Sequence, residues 1–272
     1  MGTEECESPG RRLRVAAAQI RITDQIGENL DGIVKTMRRC SADAVEVLLF
    51  PETALTGYSP AIGHGREPGE WPAIEEGLQA IARLAQELGI GVIVGSEAWE
   101  DGIWVNRLYA YSETGRTVAT YDKVHLTNSD TRYYVPGTAN RIVEMKGVTI
   151  GLQICYDARF PEGYRSLLHQ GAEVIMQGFH GAGKDTWKVP VLAAHLRSRA
   201  AESGCFVVAA NVAGPLQIVA SQIIDPLGLV LAQANQDCEE VIQADLDLGR
   251  ISESEIRRDY LERFRGASPR GG

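Results

Sequence analysis

The stretch GLQICYDARFPEG, residues 151–163, joins an apolar run to a thiol and then to a helix start. The run through Ile154 has the apolar, β-branched character of a buried strand. Pro161 and Glu162 suit the first turn of a helix, where a missing N–H is harmless and a negative charge meets the positive end of the helix dipole. Cys155 therefore stands where a strand gives way to a helix. A strand followed closely by a helix is the repeating unit of α/β folds.

The same unit recurs along the chain. LRVAAAQI (13–20), VEVLLF (45–50), IGVIVGS (90–96) and VTIGLQIC (148–155) are short apolar runs, and helical-period segments lie at 29–40, 73–89, 161–170 and 187–203. The middle breaks the alternation. IWVNRLYAYS (103–112), GRTVATYDKV (115–124) and NRIVEMKG (140–147) follow one another with only Gly, Ser, Thr and Asn as punctuation, which predicts antiparallel pairing. A later group of strands is expected in AEVIMQG, CFVVAAN, SQIIDPLG and EVIQADLDL. Two groups of strands with interspersed helices fit a two-sheet sandwich clad in outer helices better than one doubly wound sheet. No repeat or long linker divides the chain, so one domain over 11–262 is expected, with disordered tails at 1–10 and 263–272.

Composition narrows the function. The 272 residues are enough for a sizeable core. Asp plus Glu number 36 against 27 Lys plus Arg, a formal charge of -9 that repels polyphosphate and anionic lipid. No nucleic-acid or membrane partner is expected, and a small-molecule substrate is. The opening MGTEECESPGRRLRVAAAQI has acidic residues and a proline where a signal peptide needs a basic start and a long apolar run. Five cysteines (Cys6, Cys40, Cys155, Cys205, Cys238) are scattered without a C-x-x-C pair, which suggests neither a disulfide framework nor a zinc site and points to the reducing cytoplasm.

Three strand ends carry chemistry-bearing residues. A helix N-terminus or a nearby ammonium stabilises the thiolate that makes cysteine reactive, so Cys155 is a candidate nucleophile. On position alone it reads equally well as a small buried hydrophobe. VLLFPETALTGY puts Glu52 past an apolar strand and a proline, at a sheet rim suited to a general base. A salt-bridged or solvated glutamate is the simpler reading of that dipeptide. TVATYDKVHL ends a third strand at Lys123, where an exposed lysine is again the simpler reading.

Taken together, FPETALTGY (50–58), YDKVHL (121–126) and CYDARFPE (155–162), in this order, closely resemble the nitrilase, or carbon-nitrogen hydrolase, superfamily. RSRAAESGCFVVAAN is similar to the family's R-A-x-E-N segment, and SQIIDPLG to its S-x-I-x-x-P-x-G strand, so the resemblance spans about 13–262. It implies an αββα sandwich that dimerises into four layers, with larger homo-oligomers common among relatives. It implies Cys155 as nucleophile, Glu52 as base, Lys123 and the Tyr156 N–H as oxyanion donors, and no metal or cofactor. Arg159 and Glu162 are expected to hold the turn, with His125 and His169 in packing or surface roles.

The sequence departs from the family pattern in one place that bears on chemistry. Where many members carry a second glutamate, in a form like E-x-x-x-F-x-P-G, DTRYYVPG offers Asp130, one methylene shorter. Ser203 replaces the asparagine of R-A-x-E-N. CYDARFPE resembles the amidase and carbamoylase branch more than the C-W-E of typical nitrilases. Hydrolysis of a small amide is therefore expected, with an N-carbamoyl amidohydrolase, a nitrilase, or a catalytically weak binding member of the family as alternatives. Tyr58, Asp130, Phe179 and His180 are expected to line the pocket.

Overall fold

The computed structural model describes residues 10–264, and the expected tails fall outside that range apart from residue 10 and residues 263–264, which end the last helix. Strands β1 (Arg12–Gln19), β2 (Val47–Leu49), β3 (Gly91–Glu100), β4 (Ile103–Tyr111) and β5 (Thr117–Asp122) build one sheet. Strands β6 (Arg141–Met145), β7 (Val148–Ile154), β8 (Val174–Gly178), β9 (Phe206–Ala210), β10 (Gln222–Ile224) and β11 (Val230–Gln233) build another, and β12 (Glu240–Asp247) returns to the first. The orders are β12-β1-β2-β3-β4-β5 and β11-β10-β9-β8-β7-β6. Each sheet has three parallel strands at its centre, β1–β3 and β7–β9, flanked by antiparallel neighbours.

The central strands are apolar on both faces because both faces are covered. Val15 and Ala17 point into the layer between the sheets while Ala16 and Ala18 point outward to a helix layer, the period of two that a strand imposes. Val174 and Met176 likewise face the inter-sheet core, and Ile175 between them meets the opposite helix layer. Helices α1 (Ile26–Ala42) and α3 (Trp71–Leu88) bury Ile33, Met37, Ile74 and Ile81 on the first sheet. The four-residue α2 (Ser59–Ile62) lies between them in the chain. Helices α4 (Pro161–His169) and α5 (Lys188–Ser203) bury Tyr164, Leu167 and Leu196 on the second, and α6 (Glu255–Phe264) closes the described chain. The expected αββα sandwich is the observed architecture.

The expected antiparallel run in the middle is divided between the sheets. β3, β4 and β5 form a meander in one, whereas β6 pairs with β7 in the other, so the chain crosses over between Asp122 and Arg141. That crossover contains Lys123 and Asp130 and brings them to the seam between the sheets. No described helix is long and apolar enough to cross a membrane.

Candidate active site

Glu52, Lys123 and Cys155 follow β2, β5 and β7, so two come from one sheet and the third from the other. The Glu52 amide donates across the seam to the Phe179 carbonyl at 3.3 Å. The loop carrying Glu52 runs tightly over β3: a Cβ on Gly95 would lie 2.4 Å from both the Pro51 carbonyl oxygen and the Thr53 nitrogen. Only glycine fits under that loop.

The Glu52 side chain is fully buried and accepts on both oxygens. Lys123 Nζ and Asn106 Nδ2 each donate to Oε1 at 2.7 Å, and the His180 amide donates to Oε2 at 2.7 Å. The Cys155 sulfur lies beside this carboxylate, close enough for Glu52 to raise the thiol pKa. Lys123 is buried too, and its second partner is Asp130 Oδ2 at 2.8 Å. Burial works against its ammonium, but Glu52, the Cys155 sulfur and Asp130 together raise its pKa, so Lys123 stays charged. Burial alone would push Asp130 up; the Lys123 charge and hydrogen bonds from Lys123, Tyr58 and the Thr127 amide outweigh it and hold the carboxyl below its ordinary value.

The thiol behaves differently from the sequence expectation of a thiolate favoured by a helix end. Burial, with Glu52 and Asp130 beside it, raises the Cys155 pKa well above the ordinary thiol value, and Lys123 only partly opposes them. This environment favours the neutral thiol over the thiolate at rest. The intervening residues, Cys155–Arg159, form a 3-10 turn, and α4 begins at Pro161, where the sequence placed a helix start. Cys155 itself has φ 44°, a left-handed conformation that a residue with a side chain adopts only when its surroundings enforce it.

That enforcement comes from Asp157 and Arg199, not from Arg159 and Glu162. Asp157, fully buried, accepts from the Ile154 amide at 3.0 Å, the His125 amide at 2.8 Å and the Tyr121 hydroxyl at 2.8 Å. Arg199 on α5 donates to the Ala158 carbonyl at 3.0 Å and the Arg159 carbonyl at 3.3 Å. The Arg159 guanidinium lies instead over the Trp187 ring. His125 stacks on Phe160 with centroids 3.8 Å apart and bonds Asp157, a packing role, while His169 meets Tyr260 at the surface.

Of the expected pocket residues, Asp130, Tyr58 and His180 gather at the site and Phe179 does not. Asp130 is fully buried; its Oδ1 accepts from the Tyr58 hydroxyl at 2.5 Å, and its Oδ2 from Lys123 and, at 2.8 Å, the Thr127 amide. The Tyr58 and His180 rings lie 4.9 Å apart. Phe179 is 1% exposed and packs with Tyr164 and Leu196 in the helix-side core, because alternate residues after β8 face opposite ways; only its backbone carbonyl reaches Glu52. Tyr156 follows the nucleophile in the turn, its ring edge-on to Phe160.

The sequence reading missed Asn106, Asp157 and Glu97. Asn106 is the lone amide in the IWVNRLYAYS strand, and a single uncharged polar residue in such a run signals a buried partner. Glu97 accepts from the Ser59 hydroxyl at 2.6 Å and from the Tyr134 hydroxyl, tying the loop after Tyr58 to the loop after Asp130.

Residues 14–255 match the carbon-nitrogen hydrolase family. The chain belongs to that family. This carbon-nitrogen hydrolase is 30% identical over 240 residues to an (R)-stereoselective amidase of Pseudomonas sp., with 85% of this chain and 83% of the relative covered. It is 31% identical to the deaminated glutathione amidase of Escherichia coli O157:H7, covering 94% and 99%. Among solved structures, a carbon-nitrogen hydrolase from Helicobacter pylori G27 superposes with a TM-score of 0.81 at 18% identity, covering 95% of each chain. An amidase from Nesterenkonia sp. AN1, solved with the acetamide moiety of fluoroacetamide on its active-site cysteine, gives 0.76 at 23%, covering 94% and 97%. The nitrilase-like fold is thereby confirmed for this carbon-nitrogen hydrolase.

Proposed function

We propose that this enzyme hydrolyses a small amide to a carboxylic acid and ammonia through a thioester on Cys155. One observation carries the reading: a buried glutamate bonds a charged lysine at 2.7 Å and lies beside the Cys155 sulfur, so base, nucleophile and cation converge on one point. An amide carbonyl is a weak electrophile, and covalent catalysis divides its hydrolysis into two lower barriers. As the sulfur attacks the carbonyl carbon, Glu52 takes the thiol proton. Concerted transfer suits this site, because its surroundings favour the neutral thiol over the thiolate. Charge that appears on the carbonyl oxygen meets the Lys123 ammonium and the Tyr156 N–H, each donor contributing about 3 kcal/mol in comparable oxyanion sites. The intermediate collapses, the C–N bond breaks, and the departing amine leaves as ammonia with the proton from Glu52. Water then attacks the thioester while Glu52 accepts its proton. The C–S bond breaks, the acid leaves, and the proton returns to sulfur.

Asp130 completes the site as the counterpart of the family's second glutamate. It balances Lys123 and, with Tyr58, fixes the direction of the ammonium. The amidase relatives support an amide over a nitrile as substrate.

The test is ammonia release across a panel of amides, nitriles and N-carbamoyl compounds, with wild type and Cys155→Ala side by side. Amides are expected to turn over, Cys155→Ala to be inactive yet folded, and the Cys155 peptide to gain the acyl mass when the reaction is quenched. Full activity in Cys155→Ala ends the nucleophile assignment; turnover confined to nitriles or N-carbamoyl compounds replaces the amide.

A further inference from the structure

A cavity of about 310 Å3 opens beside the site, with Tyr58 and His180 as its floor, Ile22, Ala61 and Ile62 among its walls and Asp24 at its rim. Each of its two floor residues touches one of the catalytic-site carboxylates. The Tyr58 hydroxyl bonds Asp130 and the His180 amide bonds Glu52. His180 Nδ1 is buried with no hydrogen-bond partner among the described residues. A polar atom left unpaired at a cavity floor is one that a ligand would satisfy.

The charge of this cavity is one-sided. Asp24 is its single charged lining residue. His180 contributes no positive charge near neutrality, since burial and the Lys123 ammonium lower its pKa to about 4. Tyr58 stays a neutral phenol because burial, then the neighbouring carboxylates, raise its pKa. The Arg66 guanidinium, which bonds the Asp24 carbonyl, is only 6% exposed; its other terminal donors go to the Thr56 carbonyl and Glu70, and its Nε lies 3.8 Å from Glu97. Next to the cavity, Lys123, with its Nζ 5.8 Å from the Tyr58 ring centroid, faces both Glu52 and Asp130, one positive charge against two negative.

The rim is also fixed in place. Asn29 on α1 accepts from the Thr23 amide at 2.8 Å and donates to the Thr23 carbonyl at 2.9 Å and the Leu55 carbonyl at 3.1 Å. Gly57 has φ +80°, and a Cβ there would lie 2.5 Å from the Thr23 oxygen, so the two loops that carry Asp24 and Tyr58 close on each other. The Asp24 carboxylate is exposed, with the Gln25 side-chain amide at 3.1 Å from Oδ1.

We propose that this cavity holds the acyl chain of the substrate and that Asp24 selects for a chain ending in a positive charge, an ω-amino amide, against one ending in a carboxylate. The proposal rests on the amidase reading above and adds the substrate's charge class. The apolar walls take the methylenes, and Asp24 meets the ammonium at the mouth. A single exposed carboxylate contributes modestly, about 5-fold for an attracted or a repelled charge, so a cation is favoured over an anion of equal length by about 25-fold at low salt.

The experiment compares kcat/KM for 4-aminobutanamide and succinamate, of matched length, in wild type, Asp24→Asn and Asp24→Lys at low and high salt. The expected cation-to-anion ratio is about 25 in wild type, near the middle in Asp24→Asn and inverted in Asp24→Lys, with salt compressing all three. A wild-type preference for succinamate, or a ratio unmoved by Asp24→Lys, overturns the proposal. A second readout does not need turnover: the rates at which 2-bromoethylamine and iodoacetate alkylate Cys155, followed by mass spectrometry of its peptide. Their ratio is expected to fall from wild type to Asp24→Lys even if neither amide is hydrolysed. In that case the amidase reading fails and the cavity's charge selectivity stands; an unchanged alkylation ratio removes the selectivity itself.

Discussion

At the scale of single residues, Asp130 is where the sequence and the geometry inform each other most. Its carboxylate is fully buried and spans Tyr58, Lys123 and the Thr127 amide. Losing one charge-assisted bond there costs about 1.5–3 kcal/mol, so Asp130→Asn is expected to lower kcat/KM about 10- to 150-fold while the protein stays folded. From sequence alone, Asp130→Glu looks like a restoration. The structure argues for the reverse: with both oxygens engaged and no exposed surface, an added methylene has to displace Lys123 or Tyr58, and steady-state kinetics should show at least a 10-fold loss. Activity equal to wild type in Asp130→Glu would mean the loop relaxes to admit it. Glu52, Lys123, Cys155 and Asp130 were legible because each follows an apolar strand or occupies a family motif. Asn106, Asp157 and Glu97 were not, since a buried polar residue inside a strand or turn shows its partner only in three dimensions.

At the scale of elements, the nucleophile turn depends on α5 as much as on its own strand. Arg199 is 7% exposed and holds two carbonyls of that turn from a helix about forty residues downstream. Arg199→Met keeps length and apolar volume but strands both carbonyls; a stability loss of about 2–3 kcal/mol is expected, read as a lower midpoint in thermal unfolding. Arg199→Lys, which can reach one carbonyl, should recover part of it. A melting curve unchanged by Arg199→Met would place the support of the turn in Asp157 alone. The central strands and the helices α1, α3, α4 and α5 were legible within a few residues, because parallel strands buried on two faces read as continuous apolar runs and the helices as 3.6-residue stripes. β11 was not: it is a partly exposed edge strand, Val230–Gln233, with no two-sided burial to mark it. The sheet change between β5 and β6 was invisible too, since the turn residues that mark a hairpin mark a crossover equally well.

At the scale of the whole molecule, two expectations concern assembly and acid. The family resemblance implies a homodimer or larger, and light scattering at micromolar concentration is expected to show at least two chains; a strict monomer refutes it. For acid, the lowered folded pKa of Asp130 means its stabilising contribution is present above the ordinary carboxylate value, about 4, and is lost as pH falls through the lowered one. The gap in melting temperature between wild type and Asp130→Asn should therefore be widest near neutrality and close as the pH drops below about 4. Finally, Glu52 and Lys123 are carried by one sheet while Cys155 and His180 are carried by the other, so the site straddles the seam. The hydrogen bonds across that seam, 2.7 Å from the His180 amide to Glu52 and 3.3 Å from the Glu52 amide to the Phe179 carbonyl, act as a vernier on the position of one sheet against its partner. A slip of an ångström would leave every strand intact and every helix wound, yet part the base from the thiol. On slow heating, turnover should vanish several degrees before the circular dichroism signal changes, and should return on cooling, because what is lost first is alignment and not structure.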